Sequence, residues 1–431
     1  MKKVNIGIIG FGNVGSGVLK IIRERRSLLS EKTGLELVVK KVCDKDFGYK
    51  RNVNIDKKLI TSNAGDILND SQIDVVVELI GGMHPAKEFI IEALKKGKHV
   101  VTANKALLSR DGAELFALAK DRGKSIYFES SVGAGIPIIK SLREGLVANK
   151  FSGVYGIVNG TSNFILSQMS LNNCSFADAL KDAQHKGYAE KDPTLDIEGA
   201  DSAHKLALLT YLCFGRLVKP EDISVEGISR ITLADINYAK ELGYEIKLLA
   251  IAKKVGEELE VRVHPTFVPQ EHLLASVNGV FNAIYVSSDL AGELLFFGPG
   301  AGQLSAASGV VSDLVDLAQG LKAGLFRPTL NIIEDSSVKR LRRIDDIESR
   351  YYIHFMTLDK PGVLAKISGV LAKFNISIAS VTQKAHLKLK AVPIVMLTHE
   401  AKERDLRQAI AIIDKLDFVK EKSVAIHIEG L

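Results

Sequence analysis

The chain has 431 residues, of which 46% are apolar and 25% charged, a balance typical of a globular protein with two or three domains. Its net charge of +6 is dispersed among acidic residues, which excludes the clustered basic face of a nucleic-acid-binding groove. No apolar stretch reaches the length of a membrane span and the three cysteines share no motif spacing, so we expect a cytoplasmic protein that binds neither nucleic acid nor membranes.

Short apolar strands alternate with helices over the first 130 residues. The strands are predicted at VNIGIIG, LELVVKKVCD, IDVVVELI, HVVTAN and SIYFES, and the helices at 13–29, 86–96 and 111–122. Strands joined by helices in this way form parallel sheets with right-handed crossovers. The first apolar run leads directly into a motif, so we expect no targeting segment.

That motif is a glycine loop, Gly10-x-Gly12-x-x-Gly15, placed between the first strand and the first helix. Gly10 allows a tight turn, Gly12 lets the backbone approach a pyrophosphate, and Gly15 lets the helix pack on the sheet. The context predicts a Rossmann-type, doubly wound dinucleotide-binding domain over 1–136. Its predicted cofactor contacts are Gly10, Phe11, Gly12, Asn13, Val14 and Gly15.

The acid at the end of the second strand, Asp44, bears on which cofactor is bound. An acid there takes the ribose hydroxyls of NAD and repels the extra phosphate of NADP, whereas the following Lys45 favours a phosphate. We therefore favour NAD and leave open the use of both cofactors. The alternative is that Asp44 is an ordinary loop acid.

The rest of the chain predicts three further parts. Residues 137–325 have the pattern of a separate α+β domain, whose end, 298–325, is predicted to pack back on the N-terminal domain. Residues 326–350 are polar and indicate a linker. Residues 351–431 show the order βαββαβ, the split-βαβ arrangement.

A dense acidic stretch, GYAEKDPTLDIEGADSAHK, runs from Gly187 to Lys205 and precedes the apolar run LALLTYL. One interpretation is a solvated acidic loop; the other is a polar site that binds an amino group and positions a catalytic lysine. Asp201 and Lys205 are four residues apart, which places them on one face of a helix. Such a pair is also an ordinary helix ion pair.

Residues 183–205 fill every fixed position of the pattern Ala-x3-Gly-Tyr-Ala-x2-Asp-Pro-x2-Asp-Ile-x-Gly-x-Asp-x3-Lys, and this resembles the signature of homoserine dehydrogenases. The resemblance covers about 1–325 and extends to GFGNVGSGV, VTANKALL, ESSVGAGIPII, NGTSNFIL and GPGAGQLSAASG. It implies that 137–325 is the catalytic and oligomerisation domain. The tail resembles an ACT domain, a small-ligand regulatory module, through DKPGVL at 359–364 and NISI at 375–378. Family members that prefer NADP often carry a basic residue before the strand-end acid; this chain has Cys43 there.

The resemblance implies reversible hydride transfer between L-homoserine and L-aspartate 4-semialdehyde in threonine, methionine and isoleucine biosynthesis. It assigns Lys205 as the proton donor and Lys105 as a second active-site lysine near substrate and nicotinamide. Asp201 and Glu190 would hold the substrate's ammonium group, with Asp196 in support. The remaining implied contacts are Gly187 for substrate and Thr102, Lys105 and Gly302 for cofactor.

The stretch ESSVGAGIP has two readings. As in similar proteins, Glu129 would join the carbonyls of Val132, Ala134 and Ile136 around a monovalent cation, Na⁺ or K⁺. The alternative is a glycine-rich turn without an ion.

Two rival functions are less consistent with the sequence. A phosphorylating semialdehyde dehydrogenase needs a cysteine nucleophile, and Cys174 lacks a suitable partner pattern. A ligand sensor with an inactive dinucleotide domain would not retain the lysines and the signature. The ACT-like tail predicts inhibition by L-threonine, with the carboxylate of an amino-acid effector at the helix start near Pro361 and Gly362. Its exposed sheet edge predicts a homodimer or a higher oligomer.

Overall fold

The computed structural model describes residues 2–48, 53–323, 334–383 and 391–430. The strands are β1 (Lys2–Ile9), β2 (Leu35–Cys43), β3 (Ile60–Thr61), β4 (Val75–Glu78), β5 (His99–Thr102), β6 (Ile126–Tyr127), β7 (Phe151–Ile157), β8 (Ser224–Val225), β9 (Tyr244–Val255), β10 (Glu258–Pro269), β11 (Phe281–Ser288), β12 (Gly292–Pro299), β13 (Arg340–Leu341), β14 (Glu348–Thr357), β15 (Ile378–Gln383), β16 (Val392–Thr398), β17 (Ala401–Lys402) and β18 (Val424–Ile428).

The helices are α1 (Asn13–Glu24), α2 (Arg26–Thr33), α3 (Gly65–Leu68), α4 (Ala86–Lys95), α5 (Lys105–Asp121), α6 (Ile138–Lys140), α7 (Gly160–Asn172), α8 (Phe176–His185), α9 (Thr194–Ile197), α10 (Ala200–Phe214), α11 (Leu233–Glu241), α12 (Gln303–Ala323), α13 (Val363–Lys373) and α14 (Glu403–Ile413). The chain divides into two compact units. The first comprises Met1–Val154, His204–Asp222 and Asn282–Asp335, and the second comprises Tyr155–Ala203, Ile223–Phe281 and Ser336–Leu431.

The first unit is built on a parallel sheet with the strand order β3-β2-β1-β4-β5-β6. Every residue of β4 and β5 is buried, as expected for central strands of a parallel sheet covered by helices on both faces. The winding direction reverses between β1 and β4. This reversal is the position at which doubly wound sheets bind ligands beyond the carboxyl ends of their strands, and it confirms the Rossmann-type fold.

Helix α12 closes one side of this core. Its buried residues Ala307, Val310 and Leu314 belong to the same apolar cluster as Val4 and Val18. The helix approaches α1 closely, since a Cβ added at Gly17 would lie 2.9 Å from the Cβ of Ala307. The sequence predicted this part of the chain to pack on the N-terminal domain.

The second unit is organised around the antiparallel hairpin of β9 and β10. The other edge of β10 receives three short parallel strands, β13, β8 and β18. Beyond β18 the sheet continues through β14 and β16 to β15, all antiparallel. With α13 and α14, these strands form the predicted βαββαβ module, and the structure confirms this element of the fold class.

Each compact unit combines segments that are far apart in the chain, and such pairing leaves no mark on local composition. The predicted domain boundaries stay a prediction. Residues 326–333 of the predicted linker lie outside the described residues. Its later part has regular structure: β13 pairs with β10, and β14 already begins at Glu348. The basic side chains there face acids of β10, as in the pair Arg342 Nη1–Glu260 Oε1 at 3.0 Å.

Three local predictions also differ from the structure. The helix predicted over 13–29 is interrupted at Arg25, which ends α1 and precedes α2. Helix α5 starts at Lys105, earlier than predicted, because the side chain of Asn104 accepts the N–H of Leu107 and caps it. The strand predicted at SIYFES is only Ile126–Tyr127, followed by a 3₁₀ turn.

Candidate active site

The glycine loop forms a tight turn between β1 and α1. Gly10 has φ +100°, and a Cβ there would lie 2.5 Å from the backbone of Leu79. A Cβ on Gly15 would lie 2.2 Å from the carbonyl oxygen of Gly10, so the helix packs on the turn only if that residue is glycine. Around Gly12 there is open space within 4 Å, which leaves backbone accessible at the start of α1. This geometry fits a dinucleotide pyrophosphate.

Asp44 follows β2 and is bound to the same turn. Its Oδ2 accepts the backbone N–H of Phe11 at 2.6 Å, and its Oδ1 accepts the N–H of Asp46 at 3.1 Å. The carboxylate is therefore held beside the glycine loop. Sequence reasoning predicted its position at the strand end but not its bond to the turn.

A pocket of about 330 Å³ in the first unit contains the two predicted lysines. Its lining residues are Asn13, Val14, Ala103, Lys105, Ser130, Ser131, Gly133, Ala134, Lys205, Gly300, Ala301, Gly302, Gln303 and Ala306. Lys205 is buried, with 8% of its surface exposed. The pocket thus brings together Lys105, Lys205 and four other residues predicted from the sequence, Asn13, Val14, Ala134 and Gly302.

The two lysines lie on two neighbouring helices, α5 and α10. Lys105 is the first residue of α5, immediately after the capping Asn104. Lys205 lies in α10, whose His204 Nδ1 is 2.7 Å from the hydroxyl of Ser109 in α5. This contact joins the two helices beside the pocket.

Thr102 does not line this pocket. It is fully buried, and its hydroxyl donates to Glu78 Oε2 at 2.6 Å across the ends of β4 and β5. Burial raises the pKa of Glu78, whose carboxyl also accepts the N–H groups of Ile80 and Gly81. Glu78 was not predicted as a site residue, because an acid in the apolar segment IDVVVELI belongs to no recognisable motif.

The predicted cation ligands lie in a buried carboxyl cluster. The two carboxyl oxygens of Glu129 accept the N–H groups of Ile139 and Lys140, each at 2.8 Å, and Asp313 accepts the N–H of Glu129. Burial raises the pKa of Glu129 to about 7. Burial and then the Glu129 charge raise the pKa of Asp313 well above its usual range.

The backbone around Glu129 is tightly folded. Val132, Ala134 and Ile136 are buried, Ala134 has φ +54°, and the carbonyl of Ile136 accepts the N–H of Ile138 at 2.8 Å. Glu129 thus caps the start of α6. The partner acid Asp313 was not predicted, because it lies in a distant helix.

The acids of the 187–205 stretch separate into different roles within the second unit. Asp196 and Asp201 accept hydrogen bonds from one amide group, Asn159 Nδ2, at 2.7 and 2.9 Å. Asp192 instead accepts from the backbone and hydroxyl of Thr194 at the start of α9. Glu190 is exposed, and its described hydrogen bond is through its backbone carbonyl, from Gln184.

Asp196 and Asp201, two of the predicted substrate residues, therefore converge on Asn159, whereas the predicted Glu190 lies apart from them. Asp201 is in the first turn of α10, and Lys205 follows one turn later in the same helix. Gly187 has φ +74° and open space around it, which suits the left-handed turn that ends α8. Asn159, which joins the two aspartates, was not predicted because its motif, NGTSN, has no charged residue.

A glycine turn at the reversal point of a parallel sheet, next to a pocket containing two lysines, defines a nicotinamide-dependent oxidoreductase. Family models agree: residues 10–129 match the homoserine dehydrogenase NAD-binding domain, 137–315 match homoserine dehydrogenase and 352–418 match the ACT domain. The chain belongs to the homoserine dehydrogenase family, and it is an NAD(P)-dependent oxidoreductase.

Relatives that match over nearly their whole length are homoserine dehydrogenases. The chain is 42% identical to a homoserine dehydrogenase of Neisseria gonorrhoeae and 40% identical to one of Bacillus subtilis, over 100% of this chain and 100% and 99% of those proteins. A crystal structure of a homoserine dehydrogenase from Thiobacillus denitrificans matches with a TM-score of 0.90 at 41% identity, covering 100% of this chain and 99% of that one. Among the described helices, none is both long and apolar enough to cross a membrane.

Proposed function

We propose that the chain reduces L-aspartate 4-semialdehyde to L-homoserine, reversibly, with Lys205 as the proton donor. The observation that carries the proposal is the position of Lys205. It is buried in the pocket that Lys105 and the start of α1 also line, one helical turn after Asp201.

The chemistry requires a cation close to the substrate oxygen. A nicotinamide cofactor held at the glycine loop would supply a hydride to the aldehyde carbon, which would leave negative charge on the oxygen. Lys205 donates a proton to that oxygen, and Lys105 stabilises the developing charge. In the reverse direction, neutral Lys205 takes the hydroxyl proton. Burial of Lys205 strengthens its interaction with the developing charge, because water screens it less.

The substrate also carries an ammonium group, for which the acidic stretch offers carboxylates. The carboxylates of Asp196 and Asp201 accept hydrogen bonds from the same amide group, that of Asn159. A carboxylate has several lone pairs, so it can also accept a hydrogen bond from an ammonium group. We assign the two aspartates, with the exposed Glu190 and the turn at Gly187, to ammonium binding. A carboxylate pair suits an amino acid better than a simple aldehyde.

For the cofactor, we propose a preference for NAD with use of both. The open space at Gly12 fits a pyrophosphate, and the fixed carboxylate of Asp44 would accept ribose hydroxyls and repel a 2′-phosphate. A monovalent cation at Glu129 and the nearby carbonyls of Val132, Ala134 and Ile136 is part of the same proposal. Glu129 would supply the negative charge in its ionised form, which a bound cation favours over the neutral acid.

The ACT domain indicates regulation by a small ligand, and we propose L-threonine, the end product of a biosynthetic route in which the chain works as a reductase. Helix α13 begins after Gly362, which has φ +87° and open space for an approaching carboxylate. The edge strand β15 is largely exposed, which supports a homodimer or higher oligomer. Threonine titration and light scattering test these two points.

Oxidation of NADH and NADPH by purified protein with aspartate semialdehyde tests the function. Lys205→Ala should lower turnover by about 10²- to 10⁴-fold, the usual contribution of a general acid, while cofactor binding persists. The matched control is Lys150→Ala, which removes an exposed lysine. Full activity in Lys205→Ala, or absence of turnover in a wild-type protein that binds cofactor, would contradict the proposal.

A further inference from the structure

The motif NGTSN at the start of α7 has no assigned role, although its side chains contact the acidic stretch. Asn159 is the capping residue of α7: its Oδ1 accepts the N–H of Ser162 at 2.8 Å. Only 5% of Asn159 is exposed. The amide is therefore fixed at one end by the helix it caps.

The nitrogen of the same amide group donates hydrogen bonds to the two aspartates. Asn159 Nδ2 donates to Asp196 Oδ1 at 2.7 Å and to Asp201 Oδ2 at 2.9 Å, which uses both of its hydrogens. The orientation of the amide is dictated by its neighbours, because the N–H of Ser162 needs an acceptor and the two carboxylates need donors. Asn is the side chain that supplies both from one short, rigid group.

Two further residues of the motif hold the same stretch through its backbone. The hydroxyl of Ser162 donates to the carbonyl of Asp196 at 2.8 Å, and that of Thr161 donates to the carbonyl of Tyr188 at 2.6 Å. The first turn of α7 thus holds the acidic stretch at two points, before α9 at Tyr188 and within α9 at Asp196. These contacts all lie within the second unit.

We propose that Asn159 is a positioning residue for the reaction, a role that rests on the proposed function. It holds the carboxylates of Asp196 and Asp201 close together and turned toward one ammonium group. Two carboxylates bound to the same amide group repel each other, and the shared amide donor offsets that repulsion. The same bond fixes the first turn of α10, the helix in which Lys205 lies one turn further on.

Asn159→Asp is the sharpest test, because it keeps the shape and the capping acceptor but replaces the donor with a third carboxylate. Its KM for aspartate semialdehyde should rise on the order of 10- to 100-fold, the cost of losing hydrogen bonds to charged groups, with little change in the KM for cofactor. Its kcat/KM should recover as pH falls, since a protonated carboxyl donates again. Asn159→Ser keeps the cap without the amide donor and should show the same KM defect without the acid recovery.

The control is Asn237→Asp, the same change at an exposed asparagine. All variants are compared by circular dichroism and thermal unfolding. Wild-type KM in Asn159→Asp at every pH would overturn the proposal. So would a parallel loss of substrate and cofactor affinity with a lower unfolding temperature, which marks a structural role alone. A folded wild-type protein that binds cofactor without turnover would instead remove the proposed function, and this proposal with it.

Discussion

At the scale of single residues, two glycines of the N-terminal turn have different surroundings. Gly15 faces the carbonyl oxygen of Gly10, 2.2 Å from where its Cβ would lie, whereas the space around Gly12 is open. Glycine is therefore required at position 15 by packing within the protein. At Gly12 glycine is required only by a bound group from outside the protein, such as a pyrophosphate.

Alanine at these two positions should have different effects. Gly15→Ala forces backbone apart and should lower the free energy of unfolding by about 1–3 kcal/mol, the usual cost of overpacking. Gly12→Ala should leave the thermal-unfolding midpoint unchanged and weaken cofactor binding. Calorimetric melting and NADH titration by fluorescence measure both quantities. Equal melting temperatures for the two variants would contradict the distinction.

The spacing of the glycine motif predicted these glycine roles, whereas the expectation that Lys105 and Lys205 share a site came from the resemblance to homoserine dehydrogenases. It did not predict which side chains bond to each other. Asp44 was recognised as a strand-end acid, yet its bond to Phe11 depends on how the turn folds back. Thr102 was assigned to the cofactor, whereas its hydroxyl is bonded to Glu78 on the neighbouring strand. Contacts of this kind depend on strand order, which single-residue patterns do not contain.

At the scale of elements, the junction of β10 and β18 is built around a fully buried guanidinium. Arg262 forms ion pairs with Glu260 and Glu429, and its Nη1 is 3.0 Å from His264 Nε2 and 3.3 Å from His427 Nδ1. Since the guanidinium only donates, both ring nitrogens accept, and both imidazoles are neutral. Burial first, and then neighbouring groups including Arg262, lower the pKa of both histidines well below the usual value.

This junction should be sensitive to acid. A histidine with a lowered pKa binds its proton more readily in the unfolded chain, so its contribution to stability is present above about pH 6.5 and is lost as pH falls below it. The free energy of unfolding falls by at most about 1.4 kcal/mol per histidine for each pH unit. The other charged groups that face the pair are Lys253, Glu403, Arg407 and Glu429.

The variant His264→Gln tests this prediction, because the Gln oxygen can replace the accepting nitrogen but does not titrate. The thermal-unfolding midpoint of the wild type should fall between pH 7.5 and pH 5.5, and the fall should be smaller in His264→Gln. His185→Gln, at an exposed site, is the control. The same fall in all three proteins would show that other groups determine the acid sensitivity.

At the scale of the whole molecule, the strands and helices of the C-terminal module were predicted from the sequence, but its contacts with the rest of the second unit were not. Apolar periodicity located its strands and helices, since each is a local pattern. Its bonds to the rest of the second unit join distant parts of the chain: β18 pairs with β10 through Thr266 and His427, and Tyr352 donates to Asp235 at 2.9 Å. A polar stretch before the module indicated a linker, yet part of that stretch is paired with β10.

Because this attachment is buried and charged, β10, β14 and β18 should unfold together. Native-state hydrogen exchange, read by mass spectrometry, should give similar protection for peptides from the three strands. Arg262→Met leaves Glu429 and Glu260 without their buried partner, which should cost about 3–5 kcal/mol and lower protection in all three strands at once. Peptides from β4 and β5 in the first unit are the internal reference. Faster exchange of β14 and β18 than of β10 in the wild type would show that the module opens independently, and an amino-acid effector bound to it would then need another route to the catalytic residues.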